Sequence, residues 1–163
     1  MMKHTKRVAA AGMLSALAAV IMLITGLVES FDLAAAFLGG MVIAVALIEL
    51  GSGYAFAVCA VTSLLSAIIL PNKLVCIEFI GFAGWYPIVK KYIERIRPMP
   101  LRIAAKLLLF AAVVIPVTAL ELIGMQNVWY LYIFFAFALM LYDVTLQFFS
   151  VFYINNIQKK IKR

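Results

Sequence analysis

The sequence predicts an all-α, polytopic integral membrane protein with six transmembrane helices and both termini in the cytoplasm. Three observations carry that reading. Apolar runs recur along the chain at about 20 residues, the length that crosses a hydrocarbon core of about 30 Å at about 1.5 Å rise per residue. The composition agrees, with 67% hydrophobic residues, a mean hydropathy of +1.12 and only seven acidic groups in 163 residues, outside the range of soluble globular domains. The third observation is where the charges sit. The stretch from Lys90 to Lys106, KKYIERIRPMPLRIAAK, holds six of the fourteen Lys and Arg between two apolar regions. A charged side chain at the centre of a membrane helix costs about 2.5–3.5 kcal/mol, so this cluster belongs in water at a membrane face. The bias of basic residues toward the cytoplasm makes that face the inside. Six spans threaded from there put thirteen of the fourteen basic residues in the cytoplasm, which no five-helix arrangement equals. Topology therefore accounts for the +7 charge without nucleic acid.

Residues 1 to 7, MMKHTKR, form a basic tail, and residues 8–28 the first span. A signal peptide starts with the same charge pattern, but its apolar core is only about 7–15 residues, so this run reads as a retained helix entering from the cytoplasm. Along it Ala11, Ser15 and Ala19 recur every fourth position, with Gly12 and Ala16 beside them. That is a seam on which another helix can approach closely, whether within the bundle or from a partner. Glu29 and Asp32 flank a tight outer turn, VESFD. Helix 2, residues 33–50, returns inward with Ala36, Gly40 and Ala44 on one face. GSG at 51–53 turns the chain into helix 3, residues 54–70, where Ala55, Cys59, Ser63 and Ala67 are again four apart.

Leu70, Pro71, Asn72 and Lys73 make the next outer turn, because Pro ends a helix and Asn suits a turn. The fourth segment, residues 74–89, spans only about 24 Å if helical and contains Glu78, Gly81, Gly84 and Pro87. It is the least regular span, open to reading as a tilted helix or as a discontinuous one beside a binding site. Trp85, Tyr86 and Tyr92 fit an inner aromatic belt. Helix 5, residues 101–123, follows Pro98 and Pro100, with Lys106 snorkelling inward and a kink expected at Pro116. Helix 6, residues 128–154, starts at an aromatic rim of Trp129, Tyr130 and Tyr132. At about 40 Å it must tilt or protrude. With no long linker, residues 1–163 read as a single membrane domain.

On this topology Glu29, Asp32, Lys73, Glu78 and Glu121 gather toward the outer half with Asn72, Gln126 and Asn127. Intramembrane Glu78 and Glu121 should face the bundle interior, with Lys73 the one outer cation able to pair with them. The functional reading is a polar pocket open to the outside, with Asn72, Lys73, Glu78, Glu121, Asn127 and Trp129 as substrate-binding residues. The structural one is a set of groups capping helices in the headgroup region. Asp143 falls near the middle of helix 6 with Gln147 one turn away, a substrate contact, a proton carrier or a structural group bonded to Gln147 or Thr145. Glu49 lies near the inner end of helix 2. No enzyme is expected, since there is no Ser/His/Asp or Cys/His set, no HExxH and no phosphate-binding loop. No metal or other cofactor is expected either: Cys59 and Cys76 lack metal spacing and the one histidine, His4, lies in the tail.

The first helix, TKRVAAAGMLSALAAVIML, resembles the start of the S components of energy-coupling-factor vitamin transporters. These are six-helix membrane proteins that bind a vitamin or related micronutrient on the outer side. The resemblance implies docking of a small-residue seam on helix 1, here Ala11, Ser15 and Ala19 or the neighbouring Gly12 and Ala16, against a membrane T component that carries two ATPase subunits. Family members commonly cover the substrate with a substantial loop between helices 1 and 2, whereas VESFD is short. The segment LPNKLVCIEFIGFAGWYPIVKKYIER separately resembles small uncharacterised membrane proteins of Gram-positive bacteria. The expected role is thus the substrate-binding membrane subunit of an uptake transporter in a bacterial plasma membrane. The alternatives are a membrane scaffold or assembly protein, or a proton-coupled carrier using Asp143.

Overall fold

The computed structural model describes the backbone of residues 4–28, 31–95, 98–121 and 129–158, and side chains throughout these except at 112–121, 129–132, 134 and 135. Among the described residues the chain is helical, with no strand. The elements are α1 (His4–Thr25), α2 (Asp32–Glu49), α3 (Ser52–Ile69), α4 (Lys73–Glu78), a π-helical segment (Phe79–Ala83), α5 (Tyr86–Ile93), α6 (Met99–Glu121), α7 (Trp129–Phe152) and a second π-helical segment (Tyr153–Gln158). Four stretches are long and apolar enough to cross a membrane: His4–Thr25, Asp32–Glu49, Ser52–Ile69 and Ala136–Gln158. Their outward surfaces suit lipid and not water. Met13 is 75% exposed, Ile68 79% and Phe148 73%, apolar area that a soluble monomer does not leave uncovered on this scale. Several hydroxyls on these helices turn back to their own backbone, as a medium without water demands, although Thr62 Oγ1, buried on α3, has no hydrogen-bond partner. Ser15 Oγ donates to the Ala11 carbonyl at 2.9 Å, Thr25 Oγ1 to Ile21 at 2.6 Å, and Thr145 Oγ1 to Leu141 at 2.7 Å.

The contacts divide the chain into two compact units, residues 1–90 with 149–163, and residues 91–148. In the first, α1, α2 and α3 pack on one another, and α4 and the first π-helical segment pack on α2. The centre is α2, half of whose span is buried against 28% for α1 and 22% for α3. Small residues allow this. Ala35, Ala36, Gly39, Gly40, Ala44 and Ala46 are all buried on α2, so neighbouring backbones approach without long side chains between them. Gly39 is the tightest point: a Cβ there would lie 2.6 Å from Met22 Sδ and 3.1 Å from Phe79 Cε2. Gly51, just before α3, has φ +96°, a conformation that other residues adopt only at a cost.

The seam of α1 is filled from within the chain. Ala11, Ser15 and Ala19 are buried with Ala18 and Met22, so they serve the contacts with α2 and α3. These three residues, expected as a docking seam for another protein, are thus covered by the chain's own packing. Gly12 and Ala16 remain exposed, and nothing lies within 4 Å of a Cβ built on Gly12.

The fourth segment is discontinuous. Asn72 caps α4, its Oδ1 accepting from Leu74 N at 3.0 Å. After six residues the helix widens into the π-helical segment, where Gly84 N reaches back five residues to the Phe79 carbonyl at 2.8 Å. Trp85 Nε1 donates to the carbonyls of Ile80 and Gly81 at 3.1 and 3.0 Å, covering acceptors that the end of the helix exposes. Pro87 falls in the first turn of α5, where its missing N–H costs little. The aromatic belt expected here needs correction at Tyr86. Its ring is fully buried and stacks on Phe82 with centroids 4.5 Å apart, whereas Tyr92 is 48% exposed. Lys90, expected in water with the rest of its cluster, is 6% exposed and thus enclosed by protein.

Candidate functional site

A cavity of about 650 Å³ opens where the end of α1, the start of α2 and the turn between α3 and α4 meet. Its walls are Gly26, Leu27, Asp32, Pro71, Asn72 and Leu74. The local sequence explains the hollow. Gly26 follows α1, its N–H bonding to the Met22 carbonyl at 2.8 Å, at a point where a Cβ would press on that carbonyl and on Val75. Pro71 stops the chain from continuing α3 and turns it across the cavity mouth. Asn72 ties the two turns together: while its Oδ1 caps α4, its Nδ2 donates to Asp32 Oδ2 at 2.8 Å. Asp32 also stands in the first turn of α2, where the helix dipole favours negative charge.

Two carboxylates share this end of the unit. Glu78, at the junction of α4 and the π-helical segment, lies within electrostatic reach of Asp32. Asp32 Oδ1 and Glu78 Oε2 are both shielded from solvent, and neither has a hydrogen-bond partner. Such groups are costly to bury unless something satisfies them. Lys73 does not do so, which corrects its expected pairing with Glu78. Its Nζ donates to the carbonyls of Ala67 and Leu70 at 2.8 and 2.9 Å, closing the last turn of α3, since open carbonyls at a helix end attract a nearby cation.

Of the residues expected to bind substrate, Asn72 stands in the cavity wall bonded to Asp32, Glu78 lies outside that wall but within electrostatic range of Asp32, and Lys73 bonds to the end of α3. Glu121 ends α6 and Trp129 begins α7, their side chains lying outside the described ones; Asn127, like Glu29 and Gln126, lies outside the described residues. Asp143 belongs to the second unit, where Lys106 Nζ reaches its Oδ2 at 2.7 Å, the two side chains 19% and 15% exposed. This corrects one expectation, because Lys106 crosses to α7 instead of snorkelling; of the roles left open for Asp143, the contact adds a tie between helices. A third polar contact joins Glu49 of α2 to Tyr153 in the first unit. Gly26, Leu27, Pro71 and Leu74 were not singled out as site residues; the turn chemistry of Gly26 and Pro71 is the signal that could have found them. Among the described residues no three His, Cys, Asp or Glu side chains form a group able to hold a metal ion.

No protein-family model matches this chain, and no curated protein or solved structure does either.

Proposed function

We propose that this protein is the substrate-binding membrane subunit of a small-molecule uptake transporter, taking a vitamin or related micronutrient and energised by a partner ATPase complex. The observation that carries the reading is the cavity of about 650 Å³ at one end of the helical unit, with Asp32 and Asn72 in its wall and Glu78 near Asp32. Its size is that of a small-ligand pocket. The discontinuous segment α4–π–α5 beside it is the kind of broken helix that lines transporter binding sites. In this reading the chain has six transmembrane spans in a bacterial plasma membrane, both termini are cytoplasmic and the cavity opens outward. Gly12 and Ala16 form the docking face for a T-like membrane protein, since they are the seam residues of α1 left exposed.

Gentle-detergent purification from cells expressing the protein, followed by mass spectrometry of proteins and retained small molecules, tests this. A copurifying membrane protein with paired ATPases and a bound metabolite is expected, and Gly12→Leu with Ala16→Leu should release the partners without loss of insertion. A different membrane complex with no retained solute would overturn the reading. The second reading, a membrane scaffold, is favoured by the Lys106–Asp143 pair, since an acid committed to an internal cation acts as a structural tie. The same pairing weighs against Asp143 as a freely titrating proton carrier.

A further inference from the structure

We propose that the cavity at the α1–α2 and α3–α4 turns selects a small organic cation, a compound with a compact positive head and an apolar body. The inference rests on the reading of this cavity as a solute site and adds the charge of what it takes.

Four observations converge on it. The cavity is lined by an acid, Asp32, and by no basic residue among those described. Two carboxylate oxygens, Asp32 Oδ1 and Glu78 Oε2, are shielded from solvent and lack any hydrogen-bond partner, while Asn72 fixes the other oxygen of Asp32 and so orients it. The nearest candidate counter-charge in the sequence, Lys73, is engaged by two backbone carbonyls of α3. The two acids also sit close enough to repel one another, a repulsion that a cation placed against them would relieve. Buried carboxylates of this kind call for a partner that donates hydrogen bonds or carries positive charge.

The rest of the wall says which kind of cation. A bare metal ion needs several converging ligands, and no group of three candidate ligands occurs among the described residues. The volume is instead that of a small organic molecule, and Leu27 and Leu74 offer apolar contact for its body. An anionic solute would meet Asp32 in the wall, with no positive group among the lining residues to offset it.

The test uses the full chain in lipid nanodiscs and three probes of one shape. Choline and dimethylbutanol differ in having a charged nitrogen or a neutral carbon at the same place, and dimethylbutyrate supplies the negative counterpart. Equilibrium binding is measured for wild type, Asp32→Asn, Glu78→Gln and the cavity-filling Leu74→Trp. Choline is expected to bind about ten-fold or more tightly than dimethylbutanol, on the scale of a charge-assisted interaction. Each amide variant should bring that ratio toward one, and Leu74→Trp should abolish binding of both probes. A wild-type ratio near one, or a preference for dimethylbutyrate, overturns the proposal. In that case, loss of neutral-probe binding in Leu74→Trp leaves the cavity standing as a solute site, whereas binding indifferent to Leu74→Trp removes both readings. The two carboxylate variants are scored independently after thermal unfolding confirms each is folded, so one that misfolds leaves the other to decide.

Discussion

Acidic side chains in the two compact units receive opposite treatment. In the second unit, Asp143 is met by Lys106 at 2.7 Å across α6 and α7. In the first, Asp32 and Glu78 are within electrostatic range of one another and each keeps one oxygen unsatisfied, although Lys73 lies only five residues before Glu78. Both arrangements place charge in apolar surroundings, where an unpaired ion costs several kcal/mol. The first removes that cost internally and so fixes two helices in register. The second leaves it standing beside a cavity. Glu49 also keeps one shielded oxygen without a hydrogen-bond partner, but its carboxylate meets Tyr153; what sets Asp32 apart is that it stands in the wall of a cavity.

The most disruptive way to test this contrast is to break the pair. Lys106→Met removes the 2.7 Å contact to Asp143 and should cost about 3–5 kcal/mol, read as a fall in unfolding midpoint in detergent. Exchanging the charges, Lys106→Asp with Asp143→Lys, should recover most of it; a swap no better than the single variants would mean that the pair does not tie the helices. Next in size is the packing that brings α1, α2 and the π-helical segment together. Gly39→Ala forces a methyl group against Met22 and Phe79 and should destabilise by about 1–3 kcal/mol. Asn72→Ala removes both the α4 cap and the bond to Asp32, and about 1–2 kcal/mol should be lost. Smallest is Glu78→Gln. Since no group pairs with Oε2, stability should stay within about 0.5 kcal/mol of wild type or rise, while binding of the charged probe falls. A loss as large as that of Lys106→Met would show that Glu78 has an internal partner and would end the contrast.

Much of this was legible in the sequence, and what was not has physical reasons. Among the described residues the apolar runs are helical, and the turn residues Gly51, Pro71 and Asn72, which act locally, stand at helix boundaries. The irregularity of the fourth segment was readable from Gly81, Gly84 and Pro87, though not the π-helical form it takes. The α1 seam was visible but its partner was not. Four-residue spacing of small side chains looks the same whether the approaching helix belongs to the chain or to another protein, and only burial of Ala11, Ser15 and Ala19 distinguishes the cases. Charge pairing was the least legible feature. Lys73 had local carbonyls in reach as well as Glu78, and Asp143 found its cation 37 residues away. Tyr86 carried the signature of a belt residue, but the break at Gly84 and Trp85 turned it into the core.

The central claim, that the cavity faces the outside while the Lys106–Asp143 pair is closed off, is tested most directly by labelling intact cells with a membrane-impermeant maleimide. Single cysteines would be placed at Leu27→Cys and Asp143→Cys in a chain whose Cys59 and Cys76 are replaced by alanine. The account predicts rapid labelling at position 27 in intact cells and none at position 143, before or after permeabilisation. Labelling at 27 only after permeabilisation would put the cavity on the cytoplasmic side and contradict an uptake site there.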